Sequence, residues 1–238
     1  MAAVSTFVVD EADVEPSAGN GDTASTRLTF QTEHLEQRVI RFAPGRSRER
    51  TAEGFHDLLY VVAGRGTVEV EGEPHDLEAG TAVFVAPGET YALENPGPDE
   101  LLVVAVAARA ELEVADERRK VTVRFDQQAE ETASVERTFR YLVNEDAGCL
   151  DVTQFIGIVQ PSKAPFHSHP YEELGYIIEG EGIAHLGGRS VPLRPGSCFH
   201  LPPEKVHCIE NVGPGPMRIL GVFHPSDSPA NRVYQDNK

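Results

Sequence analysis

The sequence repeats itself at one constant spacing. Six positions recur 116 residues later: Gly64 and Gly180, Gly66 and Gly182, Gly80 and Gly196, Tyr60 and Tyr176, Pro87 and Pro203, and Asn95 and Asn211. The same offset lays the apolar run at residues 101–108 on residues 217–224 without a gap. A set of matches at a single offset indicates two copies of one structural unit. A chain of 238 residues is long enough for two such units, each with its own core.

Short apolar stretches separated by turn residues are typical of both copies. The chain contains 21 Gly and 17 Pro, which favours many turns between short strands over long helices. Residues 67–72 read TVEVEG and alternate strictly, as a strand with one solvated face does. The continuous apolar run LLVVAVAA at residues 101–108 is typical of a strand buried on both faces. We therefore predict an all-β fold.

The charge of the chain limits its partners. With 38 acidic and 21 basic residues, the formal net charge is −17, which argues against binding to nucleic acids or anionic membranes. No run approaches the roughly 20 apolar residues of a membrane helix, and residues 1–16 lack the pattern of a secretory signal. The three cysteines, Cys149, Cys198 and Cys208, do not make a disulfide framework. We expect a cytoplasmic protein with neither nucleic acid nor membrane as a partner.

The second copy contains a constellation of metal-ligating residue types. His167 and His169 are two residues apart, so on a strand both imidazoles project from the same face. Glu173 follows after a short turn, and His207 lies near the start of a later strand. Three imidazoles and one carboxylate suit one divalent transition metal: Fe, Mn, Ni, Cu, Co or Zn.

These residues resemble the two motifs of the cupin superfamily. His167-x-His169-x₃-Glu173-x₆-Gly180 is similar to the first motif, and Gly196-x₅-Pro202-x₄-His207-x₃-Asn211 is similar to the second. Glu204 departs from the pattern, because the family usually has Gly there, and it concerns the turn rather than a ligand. The resemblance implies a bicupin: a jelly-roll β-barrel in each half, with the metal inside the second barrel on His167, His169, Glu173 and His207.

The repeat and the resemblance together predict the domain organisation. We expect the following segments: an N-terminal lead-in at 1–37, a first barrel at 38–110 with a degenerate site, a connector at 111–145, a second barrel at 146–226 with the metal site, and a polar tail at 227–238. Two barrels in one chain can pair with each other, so a monomer or a homodimer is expected.

The first copy lacks the histidines of the second. The offset of 116 puts Thr51, Glu53, Asp57 and Tyr91 at the four ligand positions. Glu53 and Asp57 offer oxygen ligands, whereas Thr51 and Tyr91 are poor substitutes for imidazole. His56 is adjacent to Asp57 and should face the other way along a strand. We expect a metal-free barrel that serves as a scaffold, with a small-ligand pocket as the alternative.

Several further residues lie near the motif in sequence. We expect His200 either to hydrogen-bond a metal ligand or to pack in the barrel, Cys198 to be a small core residue, and Cys208 to point away from the metal. His185 and His224 have no role in the motif. Some of Phe166, Tyr176 and Ile177 should line the pocket, and Gln154 or Gln160 could orient a substrate.

Three functions are compatible with these features. The first is a metal-dependent oxidoreductase of the dioxygenase type that acts on a small organic substrate. The second is a non-redox metal enzyme, such as a decarboxylase, isomerase or lyase, acting on a small carboxylate or sugar acid. The third is a non-catalytic bicupin that binds a small ligand. The resemblance alone does not separate them, because one fold hosts many reactions.

Overall fold

The regular structure of the chain consists mainly of antiparallel strands. The computed structural model describes residues 7–19 and 21–234. The strands are β1 (Val8–Asp10), β2 (Ser17–Ala18), β3 (Ala24–Gln31), β4 (Leu35–Phe42), β5 (Gly45–Arg46), β6 (Arg50–Thr51), β7 (Phe55–Ala63), β8 (Arg65–Val70), β9 (Glu73–Glu78), β10 (Thr81–Val85), β11 (Thr90–Asn95), β12 (Leu101–Arg109), β13 (Thr122–Arg124), β14 (Glu131–Ser134), β15 (Arg137–Val143), β16 (Thr153–Val159), β17 (Ser162–Lys163), β18 (His167–Ser168), β19 (Glu172–Glu179), β20 (Gly182–Leu186), β21 (Arg189–Leu193), β22 (Ser197–Leu201), β23 (His207–Asn211), β24 (Met217–His224) and β25 (Val233–Tyr234). Within the described residues, the helical turns are four 3₁₀ segments: Glu11–Asp13, Asp116–Arg118, Phe125–Gln127 and Glu145–Ala147. None of the helices in this part of the chain has the length and apolar character that crossing a membrane requires.

The strands form two barrels, each made of a large and a small sheet. In the first barrel, the large sheet has the order β13-β10-β7-β12-β4-β3-β2, and the small sheet has the order β5-β11-β8-β9, with β6 also on β11. In the second barrel, the large sheet has the order β1-β22-β19-β24-β16-β15-β14, and the small sheet has the order β21-β20-β23-β18-β25, with β17 also on β23. This architecture confirms the predicted all-β fold of two related barrels.

The apolar run in each copy forms a strand with two buried faces. In β12, Val103 and Ala105 lie in the core of the first barrel, whereas Val104 and Val106 lie in a second core. That second core also contains Leu220 and Val222 of β24, so it joins the two large sheets face to face. We call this contact between the barrels the seam. It explains the absence of alternation in these strands, because both faces are covered.

The two barrels exchange their edge strands. Strand β1 precedes the first copy but pairs with β22 of the second barrel, and β13 precedes the second copy but pairs with β10 of the first barrel. Strands therefore lie inside the segments 1–37 and 111–145, where we expected a lead-in and a connector, and β25 lies in the expected tail at 227–238. Their sequences gave little signal because edge strands are partly solvated and carry many polar residues.

The repeat also appears in the backbone turns. Gly64 and Gly180 have φ values of 88° and 89°, a left-handed conformation that favours glycine. A Cβ atom on Gly180 would lie 2.7 Å from the Met217 Cα atom, and one on Gly64 would lie 2.7 Å from the Glu100 carbonyl oxygen. Both positions need glycine for the same two reasons, which supports the structural equivalence of the copies.

Candidate metal centre

The four motif residues lie together inside the second barrel. Strands β18 and β23 pair so that His167 is opposite His207, and their ring centroids are 4.6 Å apart. The ring of His169 lies 4.7 Å from that of His207, and its Nε2 atom lies 3.4 Å from Glu173 Oε2. The three imidazoles are buried. Among the described residues, no three of these four side chains have ligand atoms that all lie within 4.8 Å of one another. The side chains therefore have to move closer together to bind one ion.

Main-chain carbonyl groups fix the orientation of all three imidazoles. The Nδ1 atoms lie close to these oxygens: 3.0 Å from His167 to Pro165, 2.8 Å from His169 to Tyr171, and 2.8 Å from His207 to Lys205. A carbonyl oxygen only accepts hydrogen bonds, so each Nδ1 atom carries the hydrogen and donates it. In the neutral ring, the Nε2 atom then keeps its lone pair free. The Nε2 atom of His169 is buried and has no hydrogen-bond partner.

Burial keeps two of these imidazoles uncharged at neutral pH. Desolvation lowers the pKa of His167 to about 3 and the pKa of His207 to about 4, and the nearness of a second imidazole lowers both further. Because a metal ion binds the unprotonated ring, these rings need to lose no proton to act as ligands near pH 7. The orphaned Nε2 atom, the fixed tautomers and the nitrogen and oxygen donors all fit a divalent transition metal.

Aromatic rings form much of the surroundings of the centre. The ring of Tyr171 stacks on His169 with centroids 4.0 Å apart, and it also stacks on Phe223 at 4.0 Å. Beside Glu173 is a cavity of about 60 Å³, whose walls include Phe155, Phe199 and Phe223. This volume exceeds what one water molecule needs and admits a small organic molecule.

Two guanidinium groups also line this cavity. Arg137 on β15 is buried, and it donates a hydrogen bond to the carbonyl oxygen of Ile209. Burial lowers the pKa of Arg137 to about 10, and the charge of Arg232 lowers it further. Within residues 7–19 and 21–234, neither arginine has an ion-pair partner. Neither arginine was predicted from the sequence, because Arg137 lies in the expected connector and Arg232 in the expected tail.

The equivalent positions of the first barrel form a different arrangement. Asp57 accepts a hydrogen bond of 2.9 Å from Arg38 and one of 2.8 Å from the hydroxyl group of Tyr91. Thr51 and Glu53 are exposed beside an open pocket of about 330 Å³. The one buried carboxylate of the set is therefore already occupied by partners from its own barrel.

A larger cavity on the first barrel offers no comparable chemistry. It measures about 1010 Å³ and opens widely to solvent along β8, β9 and β13. Three of its charged groups pair with one another, because Arg124 contacts both Glu78 and Asp126. None of the motif residues lines it, so we place the candidate site in the second barrel, beside the smaller cavity that Glu173 lines.

The histidines outside the motif lie mostly at the seam. His56 faces away from the first barrel's interior, as expected, and its Nε2 atom lies 2.7 Å from Asp151 of the second half. His200 lies 2.7 Å from Glu172, which also accepts a hydrogen bond from Thr32 of the first half. His200 is therefore bound to Glu172 at the seam rather than to a motif residue.

One seam cluster has the composition of a metal site. Ligand atoms of His34, Glu111 and His224 lie within 4.8 Å of one another. The rings of His34 and His224 are stacked, however, with centroids 4.7 Å apart and planes 10° apart. An imidazole lone pair lies in the plane of its ring, so two parallel rings cannot both direct their lone pairs at one ion. We assign no metal to this cluster.

The residues expected to line the pocket lie elsewhere. Phe166 is exposed, Ile177 is packed in the barrel core, and the hydroxyl group of Tyr176 donates to Glu11. Because Phe155 lines the cavity, its neighbour Gln154 faces the opposite side of the sheet, where it is fully buried and has no hydrogen-bond partner. Gln160 is exposed at the end of β16. Neighbours along a strand alternate between faces, and sequence proximity did not show which face each one takes.

Cys198, Cys208 and His185 lie where the sequence predicts. Cys198 is fully buried in the seam core, and the thiol group of Cys208 donates to the carbonyl oxygen of Ala164. His185 lies away from the centre and contacts Ser190 and Glu210.

The chain belongs to the cupin family. The Cupin domain family matches it twice, at residues 38–107 and 155–223, which together make up more than half of its length. Cupin proteins commonly bind a divalent metal. The two matches coincide with the two copies of the repeat, so they confirm the bicupin resemblance of the motifs.

Individual similar proteins cover different parts of the chain. An uncharacterized protein of Methanocaldococcus jannaschii is 37% identical over 65 residues, which make up 27% of this chain and 52% of that protein. The oxalate-binding protein of Thermotoga maritima is 35% identical over 63 residues, which make up 26% of this chain and 52% of that protein. The chain thus spans about half the length of these two relatives.

Similarity in fold extends over both barrels. The structure of a mutant of Bacillus subtilis oxalate decarboxylase matches with a TM-score of 0.77 and 15% identity, and the match covers 98% of this chain and 80% of that one. At this identity the match shows a shared fold.

Proposed function

We propose that the second barrel is a metal-dependent enzyme centre that acts on a small organic carboxylate. One divalent transition metal would be held by His167, His169, Glu173 and His207. The observation that carries this proposal is the shared tautomer of the three buried imidazoles, each of which donates from Nδ1 to a carbonyl group and keeps Nε2 free. Such outer hydrogen bonds orient the histidine ligands of metal sites.

The residues around the centre support a carboxylate as the substrate. A bound metal supplies Lewis-acid chemistry and a point of attachment for oxygen donors. Arg137 offers a guanidinium group without a carboxylate partner in the described chain, and planar guanidinium groups bind carboxylates through paired hydrogen bonds. The Phe155, Phe199 and Phe223 rings keep water away, which strengthens these charge interactions.

We favour non-redox chemistry of the decarboxylase type for this centre. The unpaired Arg137 supports it, since this residue can hold an acid group in place. The names of two similar proteins, an oxalate decarboxylase and an oxalate-binding protein, agree with a small carboxylate. A dioxygenase is the second candidate. The aromatic wall of the cavity favours it, because the exclusion of water protects reactive intermediates.

The test of the metal site compares two histidine variants. We expect about one transition metal per chain in the wild type and in His75→Ala, which changes a partly exposed histidine of the first barrel. His207→Ala should lose most of the metal by elemental analysis. Full retention of the metal in His207→Ala would refute the assignment.

The test of the reaction uses the metal-loaded protein with oxalate and small oxo acids. Release of carbon dioxide without oxygen uptake is the expected result for a decarboxylase, and oxygen uptake that depends on the substrate would establish the dioxygenase instead. Tight binding of the acid without any turnover would show a ligand-binding protein and overturn both enzyme proposals.

A further inference from the structure

Residues 226–234 fold back over the second barrel; we call them the closing segment. Its strand β25 pairs with β18, so that Tyr234 is opposite His167 and Val233 is opposite Ser168. A polar segment that the sequence marks as a tail thus forms hydrogen bonds beside a motif histidine.

A chain of hydrogen bonds holds the closing segment to the wall of the site. Thr153 at the start of β16 bonds to Ser226 and to the carbonyl oxygen of Asp227, at 2.9 Å in each case. The hydroxyl group of Tyr171 lies 3.3 Å from the Ser228 carbonyl oxygen and 3.4 Å from that of Asn231. Tyr171 also stacks on His169. The segment therefore reaches the motif residues by two routes, through its pairing with β18 and through Tyr171.

The closing segment contributes two residues to the cavity wall, Pro229 and Arg232. The cavity wall therefore contains two guanidinium groups, those of Arg137 and Arg232, and one carboxylate, that of Glu173. The two cations repel each other, and in the described residues neither one is ion-paired. Arg137 is buried, Arg232 is partly buried, and Glu173 is the one carboxylate among the lining residues, so the cavity wall has an excess of positive charge. An anionic ligand can supply the counter-charge.

We propose that Arg232, together with Arg137, forms an anion subsite that holds a second acid group of the substrate. The ligand class is a small dicarboxylate: one carboxylate at the metal and the other at the guanidinium groups. This inference rests on the proposed function, since it assigns the substrate class of the same centre.

Binding of dicarboxylates and monocarboxylates to the metal-loaded protein tests the subsite. Calorimetric titrations with oxalate, malonate and acetate compare the wild type, Arg232→Gln and Arg189→Gln. Arg189 is an exposed arginine on β21 of the same barrel, so its variant removes the same charge away from the cavity.

Arg232→Gln should weaken the better-binding dicarboxylate at least tenfold, because a hydrogen-bonded ion pair is lost, and should change acetate binding less than threefold. Arg189→Gln should change neither. Metal content is measured in every sample. Absence of metal from the wild type would overturn the proposed function. Equal dicarboxylate affinity in both arginine variants, with metal present, would overturn the subsite alone.

Hydrogen exchange tests the contact between the ligand and the closing segment. The amides of residues 226–234 should exchange more slowly when oxalate or malonate is added to the metal-loaded wild type, and acetate should protect them less. Arg232→Gln should lose this added protection while its thermal unfolding temperature stays near that of Arg189→Gln. Unchanged exchange in the wild type at saturating dicarboxylate would contradict binding of the second acid group at Arg232.

Discussion

The two barrels share a backbone and differ in how their interior polar groups are satisfied. In the first barrel, Arg38 and Tyr91 both bond to Asp57, so each oxygen of this buried carboxylate has a partner. In the second barrel, His169 keeps a buried nitrogen without a partner, and Arg137 has no ion-pair partner in the described chain. Buried polar groups are normally paired, so an unpaired set marks the place where a ligand is needed.

The difference arises at matching positions. Asp57 and Tyr91 occupy the places that the offset of 116 assigns to Glu173 and His207. An acid and a phenol can bond to each other directly, whereas three neutral imidazoles that all donate from Nδ1 present only lone pairs to one another. In the first barrel, a hydrogen bond between the two side chains therefore satisfies the polar groups. In the second barrel, the lone pairs that face one another require a bound cation.

Of the changes that distinguish the two barrels, removal of the metal should have the largest effect on the free energy of unfolding. For a metal at 100 to 1000 times its dissociation constant, a chelator should lower the free energy of unfolding by about 3–4 kcal/mol, because the ion binds only the folded state. Thermal unfolding with and without chelator measures this. His169→Ala should already be destabilised and insensitive to the chelator. An equal response of His169→Ala and the wild type would show that the ion binds elsewhere.

Disruption of the first barrel's cluster should have the next largest effect. Asp57→Ala leaves Arg38 and the Tyr91 hydroxyl group without their shared partner, and should cost about 3 kcal/mol in urea unfolding. Tyr91→Phe removes one hydrogen bond and should cost about 1 kcal/mol. Both variants should keep the metal content of the wild type. Loss of the metal in Tyr91→Phe would contradict the separation of the two sites.

The sequence predicted the motif residues of the site. The motif spacing assigned Glu173 and His207 to the same site as His167 and His169, and the structure brings them together. Alternation along one strand was the expected reason for the first pair, but β18 ends at Ser168, so His169 lies just beyond the strand. Arg137 and Arg232 could not be predicted, because their positions depend on β15 and on the return of the closing segment across β18. The exchange of β1 and β13 was missed for a related reason: the partner of an edge strand cannot be inferred from the periodicity of its own segment.

Acidification should weaken the metal-free second barrel. The pKa values of about 3 for His167 and about 4 for His207 lie below the ordinary value near 6.5, so between these limits the unfolded chain binds more protons than the folded one. Stability is therefore complete above pH 6.5 and falls as the pH falls. We expect a loss of about 2 kcal/mol between pH 7 and pH 5.5 in chelator. The double variant His167→Gln, His207→Gln should show a shallower slope, and an identical slope would contradict the attribution.

The smallest expected change in stability concerns one turn at which the two barrels differ. Glu204 has a φ of 60°, and Gly88, which the offset of 116 places at the same position in the first barrel, has a φ of 87°. A left-handed backbone costs a non-glycine residue about 1 kcal/mol, although the added freedom of glycine in the unfolded chain offsets part of that gain. Glu204→Gly should therefore stabilise the protein by less than about 1 kcal/mol, and Gly88→Glu should destabilise it by about 1 kcal/mol or more, both in urea unfolding.

The turn with Glu204 comes three residues before His207, and the Glu204 amide donates a hydrogen bond to the carbonyl oxygen of His169. If Glu204→Gly instead lowered the metal affinity without a loss of stability, the glutamate would be fixing the ligand loop, and its departure from the family's glycine would be functional.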